Sequence, residues 1–195
     1  ALLLLLMMVT SGMFSSCASM ASGGMSAVLM SSYTAPDADI DGAEVTYREW
    51  ETDLQFQIDN AETDYPDFDE YIFSLDDIGH DPYLLMAYLT AKYGDFTLAD
   101  VEADLRDIFS EQYTLTLTPE SETRYADPGD SDEDGDREPY IWRTLHITLT
   151  ARPFSEVIGD RLDDAQKEHQ ELLMDSGGNR QYAGSPFPFD WRPYI

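Results

Sequence analysis

Residues 97–118 read TLADVEADLRDIFSEQYTLTLT, and the spacing of the apolar residues changes inside this stretch. From Leu98 to Phe109 the apolar side chains recur every three or four positions, which is the period of one helix face. From Tyr113 onwards apolar residues alternate with threonine, which is the period of a strand with one buried face. A helix followed directly by such a strand predicts a fold of the α+β class.

A second alternating stretch, IWRTLHITLT at residues 141–150, predicts a second strand. Together the two strands are expected to form an antiparallel β-hairpin with one solvated face, and Asp127–Glu138 is the loop between them. Around the hairpin we predict about four helices that pack with it, and one short C-terminal helix. The first two predicted helices span Ile40–Ala61 and Phe68–Ile78. The third is capped by Asp81, begins at Pro82 and is closed by Gly94, and the fourth follows Thr97. The short C-terminal helix spans Asp163–Asp175.

The charges divide the chain into segments that suit different surroundings. Residues 1–36 carry no charge, whereas Asp37–Asp81 holds sixteen acids against one base, Arg48. We therefore predict a partial membrane anchor or signal segment at 1–36, an acidic α+β domain at 37–176, and a proline- and aromatic-rich linker at 177–195. A net charge of −28 repels the phosphates of nucleic acid, so no nucleic-acid partner is expected.

The N-terminal segment opens with an apolar run of the kind found in membranes. Eight apolar residues make a helix of about 12 Å, whereas the hydrocarbon layer is about 30 Å thick. The run therefore predicts the C-terminal half of a transmembrane helix or signal sequence, with the acidic domain on the extracellular side of the cell membrane. Its residues are Leu2, Leu3, Leu4, Leu5, Leu6, Met7, Met8 and Val9.

Cys17 is the one cysteine of the chain and lies in the uncharged segment. It allows lipid attachment as an alternative, although Phe14 stands where a lipobox prefers leucine. A retained helix, a cleaved signal and a lipoprotein therefore stay open, with a buried or membrane-facing thiol as the expectation for Cys17.

The loop between the strands contains the spacing that opens a calcium loop. Asp130, Asp132 and Asp134 occupy the first, third and fifth positions, and Glu138 falls at the ninth. The twelfth position, where a bidentate glutamate is needed, is Ile141. The sequence therefore predicts a solvated hairpin loop that binds calcium weakly or not at all.

Catalytic motifs are not found in the sequence. None of the three histidines, His80, His146 and His169, has a partner at metal-ligand spacing, and we expect each to be structural or solvent-facing. The sequence also contains no nucleophile-elbow motif. We therefore predict no catalytic residue and no metal ligand in this chain, beyond the weak calcium candidate.

Five short motifs, in this order, resemble a known family. They are DADI at Asp37–Ile40, YP at Tyr65–Pro66, IGHDPY at Ile78–Tyr83, YLTAKYGDFT at Tyr88–Thr97 and YTLT at Tyr113–Thr116. They are similar to the region that precedes the catalytic domain in cell-wall hydrolases carried by conjugative transposons of Gram-positive bacteria. The resemblance covers roughly residues 25–180.

The resemblance implies an anchor, this α+β region, and then a separate peptidoglycan-cleaving domain. That domain is a cysteine peptidase of the NlpC type in some members and a lysostaphin-like zinc peptidase in others. Ser185–Ile195 looks like the lead-in to the zinc type. None of that family's zinc ligands has a counterpart in this chain, so zinc is expected only in the downstream domain.

The expected function is therefore that of an anchoring and presenting region of a murein metallopeptidase used in conjugative transfer. The expected partners are the membrane, peptidoglycan through the downstream domain, and transfer-channel proteins. The alternative is a non-enzymatic interaction module of a conjugative transfer channel. A lysozyme-like glycosidase is a third and weaker interpretation, because no pair of carboxylates stands out among 39 acids.

Overall fold

The structure is a computed structural model, and it describes residues 31–125 and 138–177. These residues form six helices and a three-stranded mixed sheet, so the predicted α+β class is confirmed. The helices are α1 (Asp37–Asp59), α2 (Ala61–Asp64), α3 (Pro82–Tyr93), α4 (Leu98–Gln112), α5 (Phe154–Gly159) and α6 (Asp164–Ser176). The strands are β1 (Glu70–Leu75), β2 (Tyr113–Tyr125) and β3 (Pro139–Ala151).

Contacts divide the chain into two compact units. The helical unit comprises the described residues of Ala1–Glu44, Asp81–Val101 and Ile158–Ile195. The sheet unit comprises the described residues of Val45–His80 and Glu102–Val157. Within the described ranges, no helix combines the length and the apolar character that crossing a membrane requires.

The hairpin is present as predicted, and it organises the sheet unit. β2 pairs antiparallel with β3, and Leu115 lies opposite Leu149. One sheet face is apolar because these alternate positions all point to it, and α1 covers that face. Leu54 and Ile58 of α1 join Tyr113 and Leu149 in one buried cluster.

The second predicted helix, Phe68–Ile78, is wrong, because this segment contains strand β1 instead. β1 runs parallel to β3, with Tyr71 opposite Leu145, and lies at the outer edge of the sheet order β1-β3-β2. Aromatic and β-branched residues such as Tyr71, Ile72 and Phe73 suit a strand, although their spacing also fits a helix. The choice between the two was made by pairing with β3, which is distant in the sequence.

Two aspartates hold the ends of β1 against β3. The Asp69 carboxylate accepts a hydrogen bond from the Arg143 amide at 2.8 Å, and the Asp76 carboxylate accepts one from the Ala151 amide at 2.9 Å. The backbone amides of the same aspartates donate to carbonyls of β3, Asp69 to Arg143 and Asp76 to Leu149. Each end of β1 is therefore held by a side-chain bond and a main-chain bond.

The helical unit is built around α3, whose ends are those predicted. The Asp81 carboxylate accepts bonds from the amides of Tyr83 and Leu84, Pro82 opens the helix, and Gly94 ends it with φ 70°. Leu85–Thr90 is buried on all sides, and α6 packs against α3. The predicted C-terminal helix is confirmed as α6, which begins with a reciprocal capping box between Asp163 and Gln166.

The start of α4 is fixed by groups from two places in the chain. The Asp100 carboxylate accepts bonds from the Thr97 amide at 2.9 Å and from the Thr97 hydroxyl at 2.7 Å. A further bond, from the Leu98 amide to Asp39 Oδ1 of α1 at 2.9 Å, was not predicted. The short helix α5 was also missed, because its six residues give too little periodicity to detect.

Candidate functional site

Most of the predicted site residues lie outside the described ranges. These are Asp130, Asp132, Asp134, Leu2–Val9 and Cys17, so calcium binding, membrane insertion and lipid attachment stay predictions. Glu138 is described, and its side chain is exposed next to the start of β3. Within residues 31–125 and 138–177 no group of three or more His, Cys, Asp or Glu side chains could hold a metal ion.

The described residues include one buried cluster of chemically active groups, centred on Glu51 of α1. His80 Nδ1 lies 3.1 Å from both carboxylate oxygens of Glu51, and the side chain of His80 is only 3% exposed. The Tyr113 hydroxyl, at the first residue of β2, lies 2.7 Å from Glu51 Oε1. The cluster thus combines a carboxylate, an imidazole and a phenol in the sheet unit.

The Tyr113 hydroxyl also links this carboxylate to the polypeptide backbone. It accepts a hydrogen bond from the Gly79 amide at 2.9 Å and another from Gln112 Nε2 at 3.0 Å. Gln112 Oε1 in turn accepts a bond from the Tyr47 hydroxyl at 2.6 Å. These contacts connect six residues, which we call the Glu51 network. Its members are Glu51, His80, Tyr113, Gln112, Gly79 and Tyr47.

Burial raises the pKa of the phenol in this network. The pKa of Tyr113 is raised well above its ordinary value of 10.0. The largest cause is removal of the hydroxyl from water, and the negative charge of Glu51 and the hydrogen bond to Glu51 add to it. A phenol of ordinary pKa is already protonated at physiological pH, and the raised pKa of Tyr113 extends this state into alkali. The hydroxyl therefore donates a hydrogen bond to the carboxylate. A neutral phenol in this position is a hydrogen-bond donor and not a nucleophile or base.

Aromatic rings enclose the imidazole of His80. The ring of Tyr47 meets it edge-on at a centroid distance of 4.7 Å, and the ring of Phe154 lies 5.4 Å away. Phe154 and Phe109 also pack against Tyr47, at 5.7 and 5.6 Å. Both oxygens of Glu51 face polar groups of the protein, so this arrangement ties α1, residues 79–80 and the start of β2 together.

The sequence contained only part of the signal for this network. His80 was predicted to be structural or solvent-facing, and its buried, paired side chain is structural. Glu51 could not be distinguished among so many acids, and its partners lie 29 and 62 positions away. His169 of α6 is partly buried, and its Nε2 is buried with no hydrogen-bond partner among the described residues.

In the part of the chain that the structure describes, the face of the sheet opposite α1 is partly open to solvent and rich in threonine. Thr116 of β2 lies opposite Thr148 of β3, and Thr114 lies opposite Thr150. His146, on the same face of β3, has its Nε2 3.0 Å from Glu120 Oε2. The side chain of His146 is 34% exposed on this threonine-lined face, next to the carboxylate of Glu120.

At the far end of the hairpin, this open face carries aromatic and charged groups. The Arg124 guanidinium lies over the Trp142 ring at 4.2 Å, and Trp142 Nε1 donates to Glu70 Oε2 at 3.1 Å. The ring of Tyr140 meets Trp142 edge-on at 6.4 Å. The threonine hydroxyls of this face, next to the aromatic rings of Tyr140 and Trp142, suit contact with a polar polymer or a protein surface.

No protein-family model, curated protein or solved structure matches this chain.

Proposed function

We propose that this chain is the membrane-anchoring and presenting region of a peptidoglycan hydrolase used in conjugative transfer, and that its acidic domain is not itself catalytic. The observation that carries the proposal is the separation of an uncharged N-terminal segment, 1–36, from a strongly acidic folded region. The apolar run Leu2–Val9 supplies the membrane contact, and the acidic region lies in water outside the cell.

Tethering explains how such a region contributes to wall cleavage without an active site. An anchor confines the attached enzyme to a thin layer of wall next to the membrane, which raises its local concentration there. The net charge of −28 repels anionic lipid headgroups, and it thereby holds the folded domain away from the membrane surface. The linker at 177–195 then sets the reach of the downstream zinc peptidase.

The internal bonding of the Glu51 network supports the non-catalytic part of the proposal. A general base must reach the proton of a substrate, and a nucleophile must be open to attack it. Here the carboxylate of Glu51 is bonded to His80 and Tyr113, and the phenol of Tyr113 is held neutral. The groups hold α1, residues 79–80 and the α4–β2 junction together.

A wall-digestion assay tests the proposal. Purified peptidoglycan is incubated with the 195-residue chain and with the same chain extended by the polypeptide encoded after Ile195. We expect soluble muropeptides from the extended protein alone, and we expect a zinc chelator to abolish their release. Release by the 195 residues alone, unchanged by the chelator, would overturn the proposal. A Glu51→Gln variant of the extended protein serves as the control and should keep its activity.

The second candidate is an interaction module of a conjugative transfer channel. It is favoured by one specific observation, the exposed apolar side chains Ile72, Phe73 and Leu75 on the outer strand β1. Capture of transfer-channel proteins by the chain, lost in a Phe73→Lys variant, would support the module. Unchanged capture by that variant would count against β1 as the contact.

A further inference from the structure

Strand β1 has an unpaired outer edge in the part of the chain that the structure describes. It lies at one end of the sheet order β1-β3-β2 and pairs only with β3 among those residues. In a parallel pair only alternate residues bond their neighbour, so the remaining amides and carbonyls of β1 point away from β3. Such an edge can accept one more strand.

The side chains of β1 are apolar on both faces and open to solvent. Ile72 and Phe73 are each 42% exposed, and Leu75 is 46% exposed. Natural edge strands are usually protected by lysine, proline or a bulge, and residues 70–75 contain neither lysine nor proline. The other outer strand, β2, does carry such a group, because Pro119 lies at its middle and has no backbone N–H to offer an incoming strand.

β1 is also held in a fixed position, which reduces the entropic cost of accepting a strand. The bonds of Asp69 to Arg143 and of Asp76 to Ala151 hold its two ends. Only the incoming segment then loses conformational freedom on binding. A rigid template of this kind favours recognition by strand addition over adaptive binding by a loop.

The charges around β1 favour a cationic occupant. Glu70 opens the strand, and Asp67, Asp69, Asp76 and Asp77 flank it. No lysine or arginine occurs in the sequence between Arg48 and Lys92, and from the neighbouring hairpin Arg124 approaches Glu70, with Nη2 4.0 Å from Glu70 Oε2. The acids that flank the strand outnumber this one base. A second copy of this chain would bring the same acids edge to edge, and its net charge of −28 would oppose the approach.

We propose that the outer edge of β1 binds an extended segment of a partner protein in which apolar residues alternate with lysine or arginine. The apolar side chains of that segment pack beside Phe73 and Leu75, which share a face with the buried Ile147 and Leu149. The cationic side chains lie on the opposite face, which carries Glu70, Ile72 and Ser74. There the aliphatic stems of lysine or arginine cover Ile72, and their charged ends reach the acids that flank the strand. The alternation follows from the two-residue period of a strand.

A peptide titration tests this proposal, whether or not a hydrolase domain follows the chain. The full 195-residue chain, kept in a neutral detergent, is titrated with an eight-residue peptide of alternating valine and lysine, and amide shifts are followed by NMR. We expect the largest shifts in residues 70–75 and an affinity that falls as salt is added. A matched peptide with glutamate in place of lysine should bind at least about tenfold more weakly.

Variants locate the site. Phe73→Lys should weaken binding of the valine–lysine peptide by at least about tenfold, whereas the control Thr116→Lys, on the opposite outer strand, should leave it unchanged. Thermal unfolding of both variants checks that they are folded. In the unaltered chain, the glutamate peptide tests whether the site prefers a cationic segment. Equal binding of both peptides, shifts centred on β2 or the threonine face, or concentration-dependent self-association that protects β1 would each overturn the proposal.

Discussion

The phenolic oxygen of Tyr113 lies 2.7 Å from Glu51 Oε1, across 62 positions of the sequence. This contact joins the first residue of β2 to the middle of α1, and both residues are buried. A buried carboxylate that loses a donor is left with an unsatisfied charge, which costs more than an exposed hydrogen bond. The stability of the sheet unit should therefore depend on this pair.

Replacing Tyr113 with phenylalanine should lower the free energy of unfolding by about 1–3 kcal/mol, because Glu51, Gly79 and Gln112 all lose their bond to the hydroxyl. Urea denaturation followed by circular dichroism measures the change. Tyr125→Phe is the matched control, since Tyr125 is 62% exposed, and it should change stability little. An equal effect of the two substitutions would contradict the role given to the buried hydroxyl.

The raised pKa of Tyr113 predicts a loss of stability in alkali. The unfolded chain releases this proton near the ordinary pKa of 10.0, whereas the folded chain retains it. The contribution of Tyr113 is therefore fully present below pH 10.0 and declines as the pH rises above that value, by at most about 1.4 kcal/mol per pH unit. The decline should be visible as a difference between the chain and its Tyr113→Phe variant in urea denaturation at several pH values. Parallel pH profiles would show that Tyr113 titrates normally.

The aspartates at the ends of β1 should control whether this segment stays a strand. Asp76→Ala removes the acceptor of the Ala151 amide, and we expect hydrogen exchange of the β1 amides to accelerate several-fold while that of α3 is unchanged. Asp77→Ala provides the neighbouring control and should leave exchange as it is. Unaltered protection of β1 in Asp76→Ala would mean that pairing with β3 alone holds the strand.

Gly94 should be sensitive to substitution for a purely conformational reason. Its φ of 70° lies in the left-handed region, and a Cβ there would have no described residue within 4 Å. Gly94→Ala should therefore cost about 1 kcal/mol through backbone strain alone. A Cβ at Gly159 would also have no described residue within 4 Å, and the φ of Gly159 is not positive. Gly159→Ala should therefore leave the stability of the protein unchanged or raise it. Thermal unfolding of both variants measures the difference, and equal shifts would exclude the conformational explanation.

Calcium binding at Asp130, Asp132, Asp134 and Glu138 should be weak. Because Ile141 stands at the twelfth position of the loop, calorimetric titration should give a dissociation constant no tighter than the millimolar range, or no heat at all. A micromolar constant that disappears in an Asp132→Asn variant would show that the loop binds calcium without the usual twelfth ligand.

Local features of the fold could be predicted well because their causes lie within a few residues. Asp81, Pro82 and Gly94 delimit α3 through capping and backbone preferences that operate over one helical turn. The hairpin could be predicted for a similar reason, since the alternation of leucine and threonine specifies a strand with one buried face. The helix predicted over Phe68–Ile78 failed because its apolar spacing fits both structures.

The sequence by itself determined the charge division, the caps of the helices and the period of the hairpin strands, because each depends on neighbouring residues. Only the tertiary structure decided that residues 70–75 form a strand and that Glu51 lies next to His80 and Tyr113. The physical reason is that these features depend on bonds between distant segments. Asp69 and Asp76 find their amides on β3, and Glu51 finds its donors 29 and 62 positions away.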